Sequence, residues 1–179
     1  MNTAIIVCGS PGAGKSTYGK RLSKKIKAAF IDIDTATERM VRLSLSLCGN
    51  DPDDRDSAFF KINFRQPIYD QLFDIARENL SQVNVVIVGP FTKEIRDIEW
   101  PRQLEIILDG PVEIHYVYCS LEIRKKRMLQ RANPRDATKL ENWTNFNSYY
   151  GDEKPPVFEH IIVDNSKDLE KTKNEHNHC

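Results

Sequence analysis

The 179-residue chain lacks the features of several specialised classes of protein. Its 26 basic and 26 acidic side chains cancel, which argues against a nucleic-acid coat or a polybasic membrane binder. Its apolar runs are far shorter than the roughly 18 residues that a bilayer-spanning helix needs. The first residues carry neither the basic region nor the cleavage site of a secretory signal. We therefore expect a cytoplasmic protein without a membrane partner.

Cysteine is scarce, and its spacing is typical of neither disulfide pairs nor a zinc site. The four cysteines are Cys8, Cys48, Cys119 and Cys179. Two of them fall in predicted strands, which favours buried thiols, and the histidines of the tail at 176–179 favour a solvated end over a metal site. The length favours a single domain with a full core. We place this domain at residues 1–170 and a polar tail at 171–179.

Glycine is also scarce, yet three of the eight glycines fall within six residues. They belong to a complete phosphate-loop pattern, G-x-x-x-x-G-K-S/T. An apolar run at 4–8 predicts a strand before the pattern, and residues 16–27 predict a helix after it. The alternative, a Rossmann-type glycine turn, requires a G-x-G-x-x-G spacing that is absent. The sequence therefore predicts a nucleotide phosphate site.

Each residue type in this pattern serves phosphate binding. Glycine permits the positive φ and close approach that turn successive N–H groups toward phosphate oxygens. Lys15 neutralises the β- and γ-phosphates, Ser16 ligates Mg²⁺ through its hydroxyl, and the helix presents its positive end to the anion. The predicted ATP-binding residues are Gly9, Ser10, Pro11, Gly12, Ala13, Gly14, Lys15, Ser16 and Thr17.

Residues 28–34 predict a second strand that ends in two carboxylates, Asp32 and Asp34. Side chains two apart on a strand share a face, so both would point the same way. The ends of parallel strands open on the edge where the phosphate loop lies. Phosphoryl transfer needs a carboxylate for the acceptor hydroxyl and another group near Mg²⁺. The alternative is a solvated pair that caps the next helix.

Hydrophobic periodicity predicts the remaining elements. We expect helices at 35–47 and from about 57 to 80, strands at 83–88, 111–119 and 159–164, and a closing helix from 165. The acidic loop at 51–56 favours a turn and helix cap, because the ligand spacing of a calcium loop is missing. On the long helix, Lys61 and Arg65 face either the cleft or solvent.

The run at 106–110 imitates a Walker B strand, which would end in Asp. However, Pro101 and Gly110 are typical of a helix start and a helix stop, and the strand at 83–88 is followed by Gly89 instead of Asp. We therefore predict that 106–110 is the end of a helix.

A basic segment follows the strand at 111–119. Its seven cations are Arg124, Lys125, Lys126, Arg127, Arg131, Arg135 and Lys139. Arg127 and Arg131 lie four apart on one helical face, and Pro134 interrupts the helix. Mobile arginines opposite a phosphate loop stabilise charge on the transferring phosphoryl group, so we predict a lid at about 120–142. The alternative is an ordinary solvated basic face.

With these residues placed, the chain resembles the P-loop small-molecule and nucleic-acid kinases, a group that includes AAA-family ATPases, zeta-toxin-like and polynucleotide-kinase-like proteins. The segment at 30–34 is similar to the shikimate-kinase strand in which the first carboxylate supports magnesium and the second contacts the acceptor. Arg127 and Arg131 resemble the lid pair of polynucleotide kinases. The segment at 133–143, with Lys139 and Trp143, is similar to the lid of bacterial members.

One departure concerns the acceptor. The glycine triplet that holds shikimate is replaced by residues 89–91, Gly-Pro-Phe, which argues against shikimate itself. Likewise, an electrically neutral chain shows no basic channel for a polynucleotide.

The resemblance implies a three-layer α/β/α fold with a five-stranded parallel sheet, order 2-3-1-4-5, and a helical lid. It implies a kinase that uses ATP and Mg²⁺ to phosphorylate a hydroxyl of a small molecule, acting as a monomer or homodimer. The predicted catalytic residues are Lys15, Asp34, Arg127 and Arg131, with Arg127 also on ATP; the predicted metal residues are Ser16 and Asp32.

Two alternatives stay open. One is a polynucleotide 5′-hydroxyl or nucleotide-sugar kinase, and the other, from a different class, is an ATP-binding regulatory switch with weak ATPase activity. An AAA+ machine is disfavoured by the short length and the missing Walker B carboxylate.

Overall fold

The computed structural model describes residues 1–136, 140–141, 143–144 and 154–166. The strands are β1 (Ala4–Cys8), β2 (Ala29–Asp32), β3 (Val85–Val88), β4 (Val112–Tyr118) and β5 (Ile161–Asp164). The helices are α1 (Lys15–Ile26), α2 (Ile33–Leu47), α3 (Ala58–Asn63), α4 (Arg65–Leu80), α5 (Trp100–Leu108) and α6 (Leu121–Arg131). Short 3-10 turns lie at Glu94–Arg96 and Pro134–Asp136.

The strands form one parallel sheet in the order β2-β3-β1-β4-β5, which confirms the predicted topology. Every residue of β1 and β3 is buried, as continuous apolar runs require when helices cover both faces. Side chains alternate between the two faces: Ile5 and Val7 pack toward α1 and α6, whereas Ala4, Ile6 and Cys8 pack toward α4 and α5. The fold is therefore three-layered, with β1 at the centre.

The predicted strand at 28–34 is too long. β2 ends at Asp32, which caps α2: its Oδ1 accepts hydrogen bonds from the backbone N–H groups of Asp34 (3.0 Å) and Thr35 (3.4 Å). Asp34 therefore lies in the first turn of a helix, and the argument that it shares a strand face with Asp32 is wrong. The first N–H groups of a helix need hydrogen-bond acceptors, and the Asp32 side chain supplies one for α2. The helix therefore begins at residue 33, and the strand ends two residues before the predicted end.

The predicted helix at 57–80 is interrupted at Phe64, which separates α3 from α4. The cause is Pro67, which has no N–H to donate to the carbonyl of Asn63, four residues before it. The prediction for residues 106–110 is confirmed, because α5 ends at Leu108 and Asp109 caps it in a left-handed conformation (φ 51°).

The other predicted elements differ mainly at their ends. Asn165 and Ser166 are irregular, and the rest of the predicted closing helix lies outside the described residues, as do Lys139 and the tail at 171–179. Cys8 and Cys119 are buried, as expected for thiols in strands or at strand ends. Within the described part of the chain, no helix has the length and apolarity to cross a membrane.

Phe91 closes the core on the α4 and α5 side. It is fully buried at a positive φ of 46°, and its ring centroid lies 5.0 Å from that of Tyr69 and 5.3 Å from that of Trp100. The segment after β3, which departs from the glycine triplet of shikimate kinases, thus directs its aromatic side chain into the core.

We predict that Phe91→Ala lowers the free energy of unfolding by about 3–5 kcal/mol, because it leaves a cavity among packed rings. Urea denaturation measures the loss. The matched control is Phe59→Ala, whose ring is 38% exposed and for which we expect about 1 kcal/mol or less. Equal losses in the two variants would contradict the role of Phe91 in the core.

Candidate active site

The phosphate loop lies where the sequence places it, between the end of β1 at Cys8 and the start of α1 at Lys15. Three of its residues have positive φ: Gly9 (133°), Gly12 (79°) and Gly14 (93°). Such a succession of glycines lets backbone N–H groups converge on one point, where an anion binds. The loop residue Ala13 is itself fully buried, which anchors this backbone.

Neighbouring atoms occupy the space beside two of these glycines. A Cβ at Gly9 would lie 2.3 Å from the carbonyl oxygen of Val117, and a Cβ at Gly14 would lie 2.3 Å from Nδ2 of Asn165. Both distances are far inside van der Waals contact. The loop therefore packs closely against β4 and the segment after β5.

Lys15 and the two hydroxyl residues begin α1. The Lys15 Nζ donates to the Ser10 carbonyl at 2.9 Å, so its charge lies over the loop. Ser16 and Thr17 are exposed in the first turn, which contains no acidic residue to repel a phosphate. Together with the helix dipole, these groups form a site suited to a polyphosphate.

The residues at this sheet edge fit a magnesium ion that the protein and a bound nucleotide would hold together. No group of three or more His, Cys, Asp or Glu side chains among the described residues forms an all-protein metal cage. Mg²⁺ in nucleotide sites typically takes one or two protein oxygens, with phosphate and water completing the shell. The exposed Ser16 hydroxyl and the carboxylate of Asp32 at the end of β2 are oxygen donors of this kind.

The two predicted lid arginines have different partners. Arg127 reaches the loop, where its Nη1 donates to the Ala13 carbonyl at 3.2 Å and its Nη2 to the Asn165 carbonyl at 3.0 Å. Arg131 instead pairs with the buried carboxylate of Asp136, with 2.7 Å between Nη2 and Oδ1. The two arginines lie four residues apart on α6, as predicted. Of this pair, Arg127 contacts the phosphate loop, whereas Arg131 contacts Asp136.

Sequence reasoning missed two residues that contact this loop. Arg124 is 1% exposed and donates from Nε to the Pro11 carbonyl at 3.2 Å. Asn165 donates from Nδ2 to the Ala13 carbonyl at 2.8 Å. One signal was available: Asn165 directly follows the last strand, at the sheet edge where ligands of this fold bind. Arg124 was counted in the basic segment without a role.

An ion pair lies at the same sheet edge beyond β3. Arg65 begins α4 and donates from Nη2 to both carboxylate oxygens of Glu94, at 2.9 and 3.1 Å. The sequence left open whether Lys61 and Arg65 face the cleft or solvent. Arg65 is directed toward this sheet edge, where it pairs with Glu94, whereas Lys61 is exposed to solvent. Burial, and then the charge of Glu94, raise the pKa of the neighbouring Tyr69 hydroxyl above its ordinary value, so it stays protonated.

Residues 5–152 match the model of a family described as an AAA domain, AAA_33. The chain belongs to this AAA domain family. Among curated proteins, this AAA domain is 27% identical over 139 residues to a shikimate kinase of Clostridium botulinum (strain Eklund 17B / Type B), covering 75% of this chain and 76% of that one. It is 41% identical over 46 residues to a shikimate kinase of Mycobacterium leprae (strain TN), covering 26% and 23%.

Solved structures share its fold. The AAA domain aligns with a sugar kinase from Janibacter sp. HTCC2649 at a TM-score of 0.59 and 16% identity, covering 98% of this chain and 92% of that one. It aligns with a gluconokinase from Sinorhizobium meliloti 1021 at a TM-score of 0.54 and 19% identity, covering 97% and 88%. These findings confirm both the predicted P-loop fold and the resemblance to P-loop kinases.

We predict that Lys15→Ala weakens ATP binding about 10- to 100-fold, because a charge-assisted hydrogen bond to phosphate contributes about 1.5–3 kcal/mol. Calorimetric titration with a non-hydrolysable ATP analogue measures it. The control is Lys20→Ala, which removes an exposed lysine of the same helix that lies over Phe30. If both variants bind like the wild type, the phosphate-loop assignment is wrong.

Proposed function

We propose that this protein is an ATP- and Mg²⁺-dependent kinase that transfers the γ-phosphoryl group to a hydroxyl of a small molecule. One observation carries the proposal: Asp32 and Asp34 lie at the carboxyl end of β2, on the sheet edge that also carries the phosphate loop. A phosphate loop alone binds nucleotide. A carboxylate on the same sheet edge can orient and deprotonate an acceptor hydroxyl beside that nucleotide.

The spacing of the sheet supports this arrangement. In the order β2-β3-β1, one strand separates the end of β2 from the loop after β1. Neighbouring strands lie about 4.8 Å apart, so the two ends are roughly 10 Å apart. That gap accommodates a γ-phosphate with its metal ion and an acceptor hydroxyl, provided the acceptor approaches from the α2 side.

We assign Asp34 to the acceptor. Its carboxylate accepts the proton of the hydroxyl, while that oxygen forms a bond to the γ-phosphorus and ADP leaves. Its position in the first turn of α2 places its negative charge at the positive end of the helix dipole, which is an electrostatically favourable location. The turn is fixed by the cap bonds that Asp32 accepts.

We assign Lys15, Ser16 and Asp32 to the nucleotide and its metal. A bound Mg²⁺ would supply positive charge that offsets the charge of the phosphates. Lys15 holds the β- and γ-phosphates. The Ser16 hydroxyl would be a ligand of the metal, and the Asp32 carboxylate would lie in its outer shell and orient its ligands. Arg127 binds the nucleotide from α6, and Arg131 joins it only if it exchanges Asp136 for phosphate.

The acceptor class is tested by ADP release in the presence of Mg²⁺ and ATP with single added acceptors. A first panel contains shikimate, gluconate, neutral sugars and a short 5′-hydroxyl oligonucleotide. Turnover that rises with one small hydroxyl compound supports the proposal. Turnover that rises only with the oligonucleotide would favour a polynucleotide kinase, and tight ATP binding without acceptor dependence would favour a regulatory switch.

We predict that Asp34→Asn keeps ATP binding but lowers transfer by roughly 10²–10⁴-fold, the usual range for losing a general base. Steady-state kinetics and ATP titration measure the two quantities. Asp74→Asn on the exposed side of α4 is the control, with a side chain 63% exposed. Full activity in Asp34→Asn would remove this residue from the mechanism.

Asp32→Asn separates the metal role from the structural one. Asn caps a helix about as well as Asp, so α2 and the melting temperature should be unchanged. We predict that the variant needs more Mg²⁺ for half-maximal rate, because a carboxylate in the outer shell of a metal orients its ligands. A magnesium titration of the rate measures the change. An unaltered magnesium requirement would restrict Asp32 to capping.

A further inference from the structure

Side chains from distant parts of the chain bind the outward carbonyls of the phosphate loop. The Ala13 carbonyl accepts two hydrogen bonds, from Nδ2 of Asn165 at 2.8 Å and from Nη1 of Arg127 at 3.2 Å. These donors lie outside the phosphate-loop pattern, 152 and 114 residues away in sequence. The pattern therefore does not by itself account for the conformation of the loop.

The geometry of the peptide bond gives these contacts a consequence. The carbonyl of Ala13 and the N–H of Gly14 belong to one planar trans peptide, in which they point in opposite directions. Two donors that hold the carbonyl on the outside therefore direct the Gly14 N–H to the inside. The positive φ of Gly14 (93°) is typical of loops whose successive N–H groups curl around an anion.

Asn165 is itself held on three sides. Its backbone N–H donates to the Tyr118 carbonyl at 2.8 Å, its carbonyl accepts from Arg127, and its side chain packs where a Cβ of Gly14 would be. The hydrogen bonds among Ala13, Arg127 and Asn165 form a closed triangle. A donor fixed in this way reorients little when the loop binds phosphate, so the N–H is aimed before the ligand arrives.

We propose that Asn165 is a positioning residue for phosphate binding: by holding the Ala13 carbonyl, it aims the Gly14 N–H at the polyphosphate. This inference rests on the nucleotide-binding part of the proposed function and on no particular acceptor. It distinguishes Asn165 from a residue that touches the nucleotide base, since its effect is transmitted through the loop backbone.

The test uses inorganic tripolyphosphate, which has no base or sugar. We expect Asn165→Ala to weaken its binding about three- to tenfold, the effect of losing one neutral hydrogen bond. The control is Asn2→Ala. Asn2 also donates from Nδ2 to a backbone carbonyl at 2.8 Å, that of Leu80, but at the opposite edge of the sheet. Asn2→Ala should bind tripolyphosphate like the wild type.

A second readout follows the Gly14 amide directly. In ¹H–¹⁵N spectra of the whole protein, tripolyphosphate should shift this resonance in the wild type and in Asn2→Ala, and shift it less in Asn165→Ala. If the alanine variant does not fold, the isosteric Asn165→Asp replaces it. That variant loses the N–H donor, places an oxygen against the Ala13 carbonyl and adds a negative charge that itself repels the anion. For this variant the Gly14 amide response, and not the size of the affinity loss, therefore decides.

The outcomes separate the inference from the proposed function. Wild-type tripolyphosphate affinity and an unaltered Gly14 response in the Asn165 variants overturn the inference alone. A loss of ATP binding with tripolyphosphate binding intact also overturns it, because Asn165 would then contact the nucleoside. If the wild-type protein binds neither tripolyphosphate nor ATP, both the inference and the proposed function are wrong.

Discussion

The structure depends on one constraint: the backbone N–H groups after β1 must face inward to bind an anion. Because each peptide is planar, the carbonyls of the same loop must face outward, and buried carbonyls need donors. Within the loop, the Ser10 carbonyl accepts from the Ala13 N–H at 3.2 Å and from Lys15 Nζ at 2.9 Å. The carbonyls of Pro11 and Ala13 instead bind side chains from distant parts of the chain. Arg124 binds the Pro11 carbonyl, whereas Arg127 and Asn165 bind that of Ala13. The placement of α6 and of the segment after β5 therefore serves the loop.

The same constraint explains why the loop follows the central strand. β1 pairs with β3 on one side and β4 on the other, and all five of its residues are buried. The first residue of a loop that follows such a strand therefore has a fixed position. On the other side of the loop, Tyr18 ties α1 to β4 through a 2.6 Å hydrogen bond between its hydroxyl and Nδ1 of the buried His115. Both ends of the loop are thus held by β-sheet contacts.

Much of this was predictable, because phosphate loops and buried strands have local signatures. The order of glycines before Lys15 and the apolar runs located the loop and the strands without tertiary information, whereas the resemblance to P-loop kinases implied the order of the strands in the sheet. Pro67 carried a local signal for the break at Phe64, and the interpretation of one long helix overlooked it. By contrast, the contacts of Arg124 and Asn165 join residues more than 100 positions apart. No local pattern encodes such a pair, so only the folded chain reveals it.

The shortened second strand changes how the acceptor side must work. Had Asp34 continued a strand, the rigidity of the sheet would have aimed its side chain; in α2 its direction depends on the cap that Asp32 provides. Under the proposed function, Asp32 has two roles. Its carboxylate lies near the metal, and it also caps the helical turn that carries Asp34. Phosphoryl transfer through a loose transition state requires alignment more than strong basicity. A carboxylate held by a helix cap, whose charge the helix dipole stabilises, suits that requirement.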